Sequence, residues 1–275
     1  MARELGDVLH YFIPDEEPPP PPEPLGEPGA SPLAIVAVPV DERDVVRTAF
    51  VWNLAVEMGR LGAAATVIAP GEEANESLWP QPGRGPLGTE FLPTFVPDLP
   101  GLASRALEVA ISRGAECRDG GMVLVQVPPS WLEKAADGDP LLRWTLLFSA
   151  PEPRELEETC TLARRLCFAA PGARVGVTIH GVRSIDEARG AFDALVSMLE
   201  PELRERLVSY GLLLDDLDVY RAIVNRRPIG VIHPQSRAAR ALSDVARLLL
   251  GDAAVPAVTL ATRAVAGTGA SAGTG

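Results

Sequence analysis

Leu33-Ala34-Ile35-Val36-Ala37-Val38, running into Pro39-Val40-Asp41-Glu42-Arg43-Asp44, decides how the rest of the chain is read. The first six residues are wholly apolar, as a strand buried on both faces requires, and the next six are a polar loop. Val46, Phe50, Val51, Leu54, Met58 and Leu61 then recur at three- and four-residue steps, which predicts a helix. Gly62 stops it, and Ala65 to Ala69 reads as a second strand. Strand, helix, parallel strand is the unit of doubly wound α/β proteins. Their ligands bind where the first strand hands over to the first helix. The expected fold is therefore a doubly wound, mostly parallel sheet flanked by helices.

Alternating elements continue from there. Pro70 to Pro100 reads as a long Pro- and Gly-rich loop, and Leu102 to Ile111 as a helix. Strands are predicted at Met122–Val127, Trp144–Phe148, Arg174–Ile179 and Gly211–Leu214, with helices at Glu155–Phe168, Asp218–Arg227 and Arg237–Leu250. Ser184-Ile185-Asp186-Glu187 is a capping box that starts a helix to Leu199. The expected division is an acidic, Pro-rich segment at 1–32, an α/β domain at 33–250, and an Ala/Gly/Ser/Thr-rich tail at 251–275.

Several motifs in this frame carry a resemblance. Val51-Trp52-Asn53-Leu54-Ala55 with Gly62 looks like the x-N-L-A helix that follows the phosphate loop of MinD/ParA/FlhG-type ATPases. Ala150-Pro151-Glu152-Pro153 is similar to the T-x-P-E-P signature of that family, and Val182-Arg183-Ser184 with Glu187-Ala188 to its V-R-S…E-A step. Arg226-Arg227-Pro228, then Ser236 with Ala238-Ala239-Arg240-Ala241-Leu242, resemble its R-P and A-A-R-A-L segments. The resemblance spans roughly residues 33–250 and implies a P-loop NTPase-like fold.

Counted back from Asn53, the family's K-G-G-V-G-K-T falls on Glu42-Arg43-Asp44-Val45-Val46-Arg47-Thr48, where only Val45 and Thr48 agree. A phosphate loop needs glycines that turn successive N–H groups onto the anion and a lysine for the outer phosphates. Arg43, Asp44 and Val46 stand where glycine is expected, and the single lysine of the chain is Lys134. A carboxylate about 4 Å from a phosphate charge costs ~1 kcal/mol in water and ~4 at an effective dielectric of 20. Glu42 and Asp44 each bring such a charge. By the same resemblance Gln126 replaces the Mg²⁺-holding aspartate and His180 the base-reading asparagine. The expectation is a pseudo-ATPase with neither bound cofactor nor metal and no catalytic residue. Its role, by analogy, is a protein-binding scaffold in spatial organisation of the cell, such as polar, flagellar or motility positioning.

His180 is expected to be a hydrogen-bonded structural histidine, with proton transfer at the strand end as the other reading. Asp215, Asp216 and Asp218 suit a helix N-terminus, and Cys160 and Cys167, seven apart on a helix, suit packing. No serine sits in a hydrolase elbow.

Residues 1–32 hold seven acids, one base and nine prolines, with Pro18 to Pro22 contiguous, a composition expected to be disordered or polyproline II. Ahead of them Leu5, Val8, Leu9 and Phe12 follow helical spacing, and Tyr11 and Ile13 extend the patch. This reads as a motif that docks a protein partner; packing on its own domain is the alternative. The resemblance adds a homodimer, or a heterodimer with an active paralogue. Net charge is −12, which argues against nucleic acid. No apolar run approaches a membrane span, and no signal peptide is visible, so a cytoplasmic location and no membrane attachment are expected. Two other functions stay open. One is a divergent ATP/Mg-binding switch using Arg43 or Arg47 with Thr48; the other is a ParA-like nucleoid-binding positioning protein.

Overall fold

The computed structural model describes residues 31–41, 43–71, 79–117 and 120–254. Its strands are β1 (Ala34–Pro39), β2 (Ala64–Pro70), β3 (Gly83–Arg84), β4 (Glu90–Thr94), β5 (Gly121–Val127), β6 (Trp144–Ser149), β7 (Arg174–Val182) and β8 (Leu207–Leu214). They form one sheet in the order β3-β4-β2-β5-β1-β6-β7-β8. Every neighbouring pair is parallel except β3 with β4. The helices are α1 (Val45–Arg60), α2 (Leu99–Glu116), α3 (Pro153–Ala169), α4 (Ile185–Ser197), α5 (Pro201–Arg204), α6 (Leu217–Val224), α7 (Ile229–Ile232) and α8 (Arg237–Ala253). The doubly wound, mostly parallel sheet expected from the sequence is what the chain forms.

The central strands are buried on both faces, as their unbroken apolar runs require: Val36 to Val38 and Met122 to Val125 are all inaccessible to solvent. α1 and α8 pack on each other and on the sheet, α1 against β2 and α8 against β8. α2 packs against β5, α3 against β6, and α4 against β7. The predicted cap of α4 is present: Ser184 Oγ accepts from Glu187 N at 3.2 Å, while Glu187 Oε2 accepts from Arg183 N at 2.6 Å. One sequence expectation is corrected. Pro70 to Pro100 is not a continuous loop, because β3 and β4 lie inside it and extend the sheet. β4 includes Pro93, which no residue of the two-residue β3 faces, so its missing N–H leaves no ladder bond unmade.

The seam between α1 and α8 holds buried acids. Glu57 is 1% exposed, with Arg60 Nη1 at 3.0 Å, and burial pushes its carboxyl up against the pull of Arg60. Asp244, 7% exposed, accepts from Arg247 Nη1 at 2.7 Å. Burial pushes its pKa up to about 6, with Arg247 and Arg240 opposing and Glu57 adding to the rise. A raised folded-state pKa means the folded protein takes up a proton before the unfolded one does. The stability tied to that proton is complete in acid and is lost as pH rises through about 6. Asp244→Asn is therefore expected to stabilise the fold by about 1–2 kcal/mol at pH 8 and by nothing at pH 4. Urea denaturation at the two pH values checks this.

Candidate functional site

From β1 the chain turns into α1 and crosses to β2 on one side of the sheet; from β6 it turns into α3 and moves to β7 on the other. β1 and β6 are thus the pair at which the crossovers diverge, and Ala37 with Thr145 is their one register pair. In open α/β sheets, the crevice beyond the carboxyl ends of such a pair is where ligands sit. Its walls here are residues 40, 41, 43 and 44, the first turns of α1 and α3, and the ends of β5 and β7.

At the turn into α1 the amides of Arg43, Asp44, Arg47 and Thr48 already have oxygens to bond. Asp44 is the N-cap, and its Oδ1 accepts from Arg47 N at 2.9 Å. Thr48 N donates to Asp44 O at 3.0 Å, Asp44 N to Asp41 O at 2.9 Å, and Arg43 N to Asp41 Oδ1 at 2.9 Å. Arg43, Asp44 and Val46 all keep negative φ, and Val45, Val46, Arg47 and Thr48 lie in regular helix. Glu42 lies outside the described residues, as do Leu5, Val8, Leu9, Tyr11, Phe12 and Ile13.

Arg47 reaches sideways. Its Nη2 donates to Glu155 Oε2, and its Nε lies 3.4 Å from Asp44 Oδ2. Glu155 belongs to the first turn of α3, so this ion pair ties the two helix N-termini together across the crevice. Each N-terminus carries partial positive charge, and each has a carboxylate of this chain beside it. Glu155 is the residue that sequence reading missed. An acid opening a helix was visible, but nothing local links it to an arginine 108 positions earlier.

Gln126, at the end of β5, is 8% exposed, and its amide nitrogen is buried without a hydrogen-bond partner. His180, near the end of β7, packs at a tilt against Phe50 of α1 with ring centroids 5.3 Å apart, and Phe50 in turn lies 5.7 Å from Phe148. The expected hydrogen bond is absent at Nε2, which is buried with no partner, because the neighbouring ring is apolar. Burial, reinforced by the Arg47 charge, pushes the imidazole down to about 4. It is neutral at physiological pH, which suits packing and not proton transfer.

Other singled-out residues have local work. Asn53 donates to Ala49 O at 2.8 Å and accepts from Ile229 N at 2.7 Å, tying α1 to α7. Asp216 caps α6, accepting from Asp218 N at 3.0 Å, and also accepts from Ala238 N at 3.3 Å. Ser149 Oγ accepts from Thr159 Oγ1 at 2.9 Å, and Ser236 caps α8. Cys160 and Cys167 are buried and unbridged. Among the described residues, no three His, Cys, Asp or Glu side chains converge as a metal site, and no helix is long and apolar enough to cross a membrane.

No protein-family model matches the chain, and no curated protein matches it in sequence. Solved structures do match in shape. The MinC:MinD cell division protein complex of Aquifex aeolicus superposes with a TM-score of 0.56 at 16% identity, over 79% of this chain and 96% of that one. The cell division ATPase MinD of Pyrococcus furiosus gives 0.56 at 15% identity, over 79% and 98%. A ParA family ATPase from Chlorobium tepidum gives 0.50 at 11% identity, over 79% and 98%. Identities this low speak to architecture alone. With its strand order and the position of its β1–α1 turn, the chain has the fold of the MinD and ParA-family ATPases.

Proposed function

We propose that this protein is a MinD-like scaffold that binds another protein and has given up nucleotide chemistry. The observation that carries the reading is that the polar groups at the start of α1 are already engaged within the chain. The Asp44 carboxylate sits on the α1 amide that a phosphate oxygen would need, and Arg47 is engaged by Glu155. Gln126 offers Mg²⁺ an amide in place of a carboxylate, a poor ligand for a hard cation. The donor set does not fit a magnesium nucleotide. A. aeolicus MinD is known in a complex with a second protein, MinC. To this chain we carry over a protein partner, engaged through Leu5, Val8, Leu9, Tyr11, Phe12 and Ile13, and a process of spatial organisation by analogy.

Thermal unfolding with and without 5 mM MgATP tests this. A site of Kd about 50 μM would add ~2.7 kcal/mol at that concentration. In a chain of this size each kcal/mol moves Tm by roughly 2–4 °C. The expected shift is below about 1 °C, the level that no site tighter than millimolar would give. A magnesium-dependent rise that Thr48→Ala abolishes would instead make the protein a divergent ATP switch. The partner half has its own readout: a captured protein should be lost when residues 1–14 are removed, and retention would move the binding surface to the folded body.

A further inference from the structure

α6 turns a stripe of apolar side chains to solvent. Leu217, Tyr220 and Val224 are 70%, 47% and 79% exposed, at the i, i+3, i+7 spacing that sets them on one side of a helix. The side that holds α6 to the body is another one, carrying buried Val219 and Ala222. Val231 of α7, the helix packed against α6, is exposed as well. Single exposed apolar residues need no explanation, but a contiguous run of them marks a surface that something covers.

The ends of the stripe are basic. Asp216 Oδ2 accepts from Ala238 N at 3.3 Å, which brings neighbouring Arg237 to the Leu217 end. Arg227 follows closely on Val224 at the other end. Both arginines are exposed, and neither makes an ion pair with the described residues. An apolar strip between two cations fits an amphipathic helix with acids at its ends.

This chain carries such a segment. Leu5, Val8, Leu9 and Phe12 repeat the spacing of the stripe, and Leu5 to Phe12 is as long as Leu217 to Val224. Glu4 stands just before them, and Asp15, Glu16 and Glu17 just after.

The geometry of the exit points to a second copy as the donor. Leu33 N donates to Ala110 O at 3.0 Å, and Ser31 O lies against Gly114, so the chain enters β1 from the amino end of the sheet, beside the end of α2. α6 follows β8 at the carboxyl end, where it meets the start of α8. Right-handed crossovers put α2 on one face of the sheet and α1, with α8 packed on it, on the other. A body of about 220 residues is roughly 45 Å across, so a path around it between opposite corners is about 70 Å. The roughly 18 steps from Ile13 to Ser31 cover only about 56 Å as polyproline.

We propose that the Leu5–Ile13 segment of one copy docks on the α6 stripe of a second, and that the exchange is reciprocal. Each body in the resulting two-fold dimer holds the arm of the other. The inference rests on reading Leu5–Ile13 as a docking motif and names what that motif docks on.

Sedimentation of the full-length chain over a micromolar dilution series tests it. The parent is expected to dimerise. Leu9→Glu on the arm and Val224→Glu at the exposed stripe should each raise the dimer dissociation constant at least tenfold. The arm of the Val224→Glu protein still fits the stripe of the Leu9→Glu protein. An equimolar mixture of the two, one of them tagged, should therefore form mixed dimers that neither variant forms alone, which also shows that both remain folded. A monomeric parent, a dimer that survives either substitution, or a mixture without mixed dimers would overturn the proposal. If the chain is monomeric while residues 1–14 still capture a different protein, the exchange falls and the scaffold reading stands.

Discussion

Tyr210→Ala is expected to lower the stability of the protein by about 4 kcal/mol, the range seen when a buried aromatic is cut back to its Cβ. Tyr210 is among the largest side chains with no solvent exposure. It sits where the β7–β8 register shifts between Val177 and Ile179, and its ring lies over Gly176. A Cβ at 176 would stand 2.4 Å from the ring, so the glycine supplies the room the tyrosine fills. Its hydroxyl donates to Asp252 Oδ2 at 2.7 Å, and Asp252 is in turn 3.2 Å from Arg174 Nη1. Tyr210→Phe removes only that hydroxyl and should cost about 1 kcal/mol. The contrast between the two variants in urea, at unchanged m-value, separates ring volume from hydrogen bonding. Equal losses would mean that the ring itself contributes little to the core.

The second large effect is on acid sensitivity. His180 is held near pKa 4 in the folded chain, against an ordinary 6.5, because its imidazolium would be buried against Phe50 and close to Arg47. The unfolded chain therefore takes up a proton that the folded chain refuses. This contribution is complete above about pH 6.5 and is lost as pH falls toward about 4. The full shift corresponds to about 3 kcal/mol, and partial exposure of the ring brings the expected loss to about 2. His180→Phe keeps a ring on Phe50 and abolishes that loss, so stability between pH 4 and 7 should flatten by about 2 kcal/mol. Asp244 titrates over an overlapping range with the opposite sign, so the wild-type profile understates both groups. The pair of single variants, His180→Phe and Asp244→Asn, should tilt the profile in opposite directions. A His180→Phe protein that loses stability in acid as steeply as the parent would show that the imidazole takes up its proton freely in the fold.

The architecture could be read from the chain because its signals are local. A six-residue apolar run, a 3.6-residue period and a glycine just past it mark β1, α1 and the return to β2 without knowledge of anything distant. The Ser184–Glu187 box and the Asp216 cap were legible for the same reason, since donor and acceptor lie within three residues. β3 and β4 were not, because Gly83 and Pro93 look like loop residues until the edge position that tolerates them is known.

For the site, the order of residues settles which side chains stand at the β1–α1 turn: acids, arginines and a β-branched valine where glycines and lysine belong. What those side chains touch depends on which distant elements the fold sets beside them. Arg47 meets Glu155 because β6 lies beside β1 in the sheet, and Asn53 holds Ile229 because α7 packs back on α1. Strand order is set by burial summed over the whole sheet. Contacts that depend on it are therefore written in no single stretch of the chain.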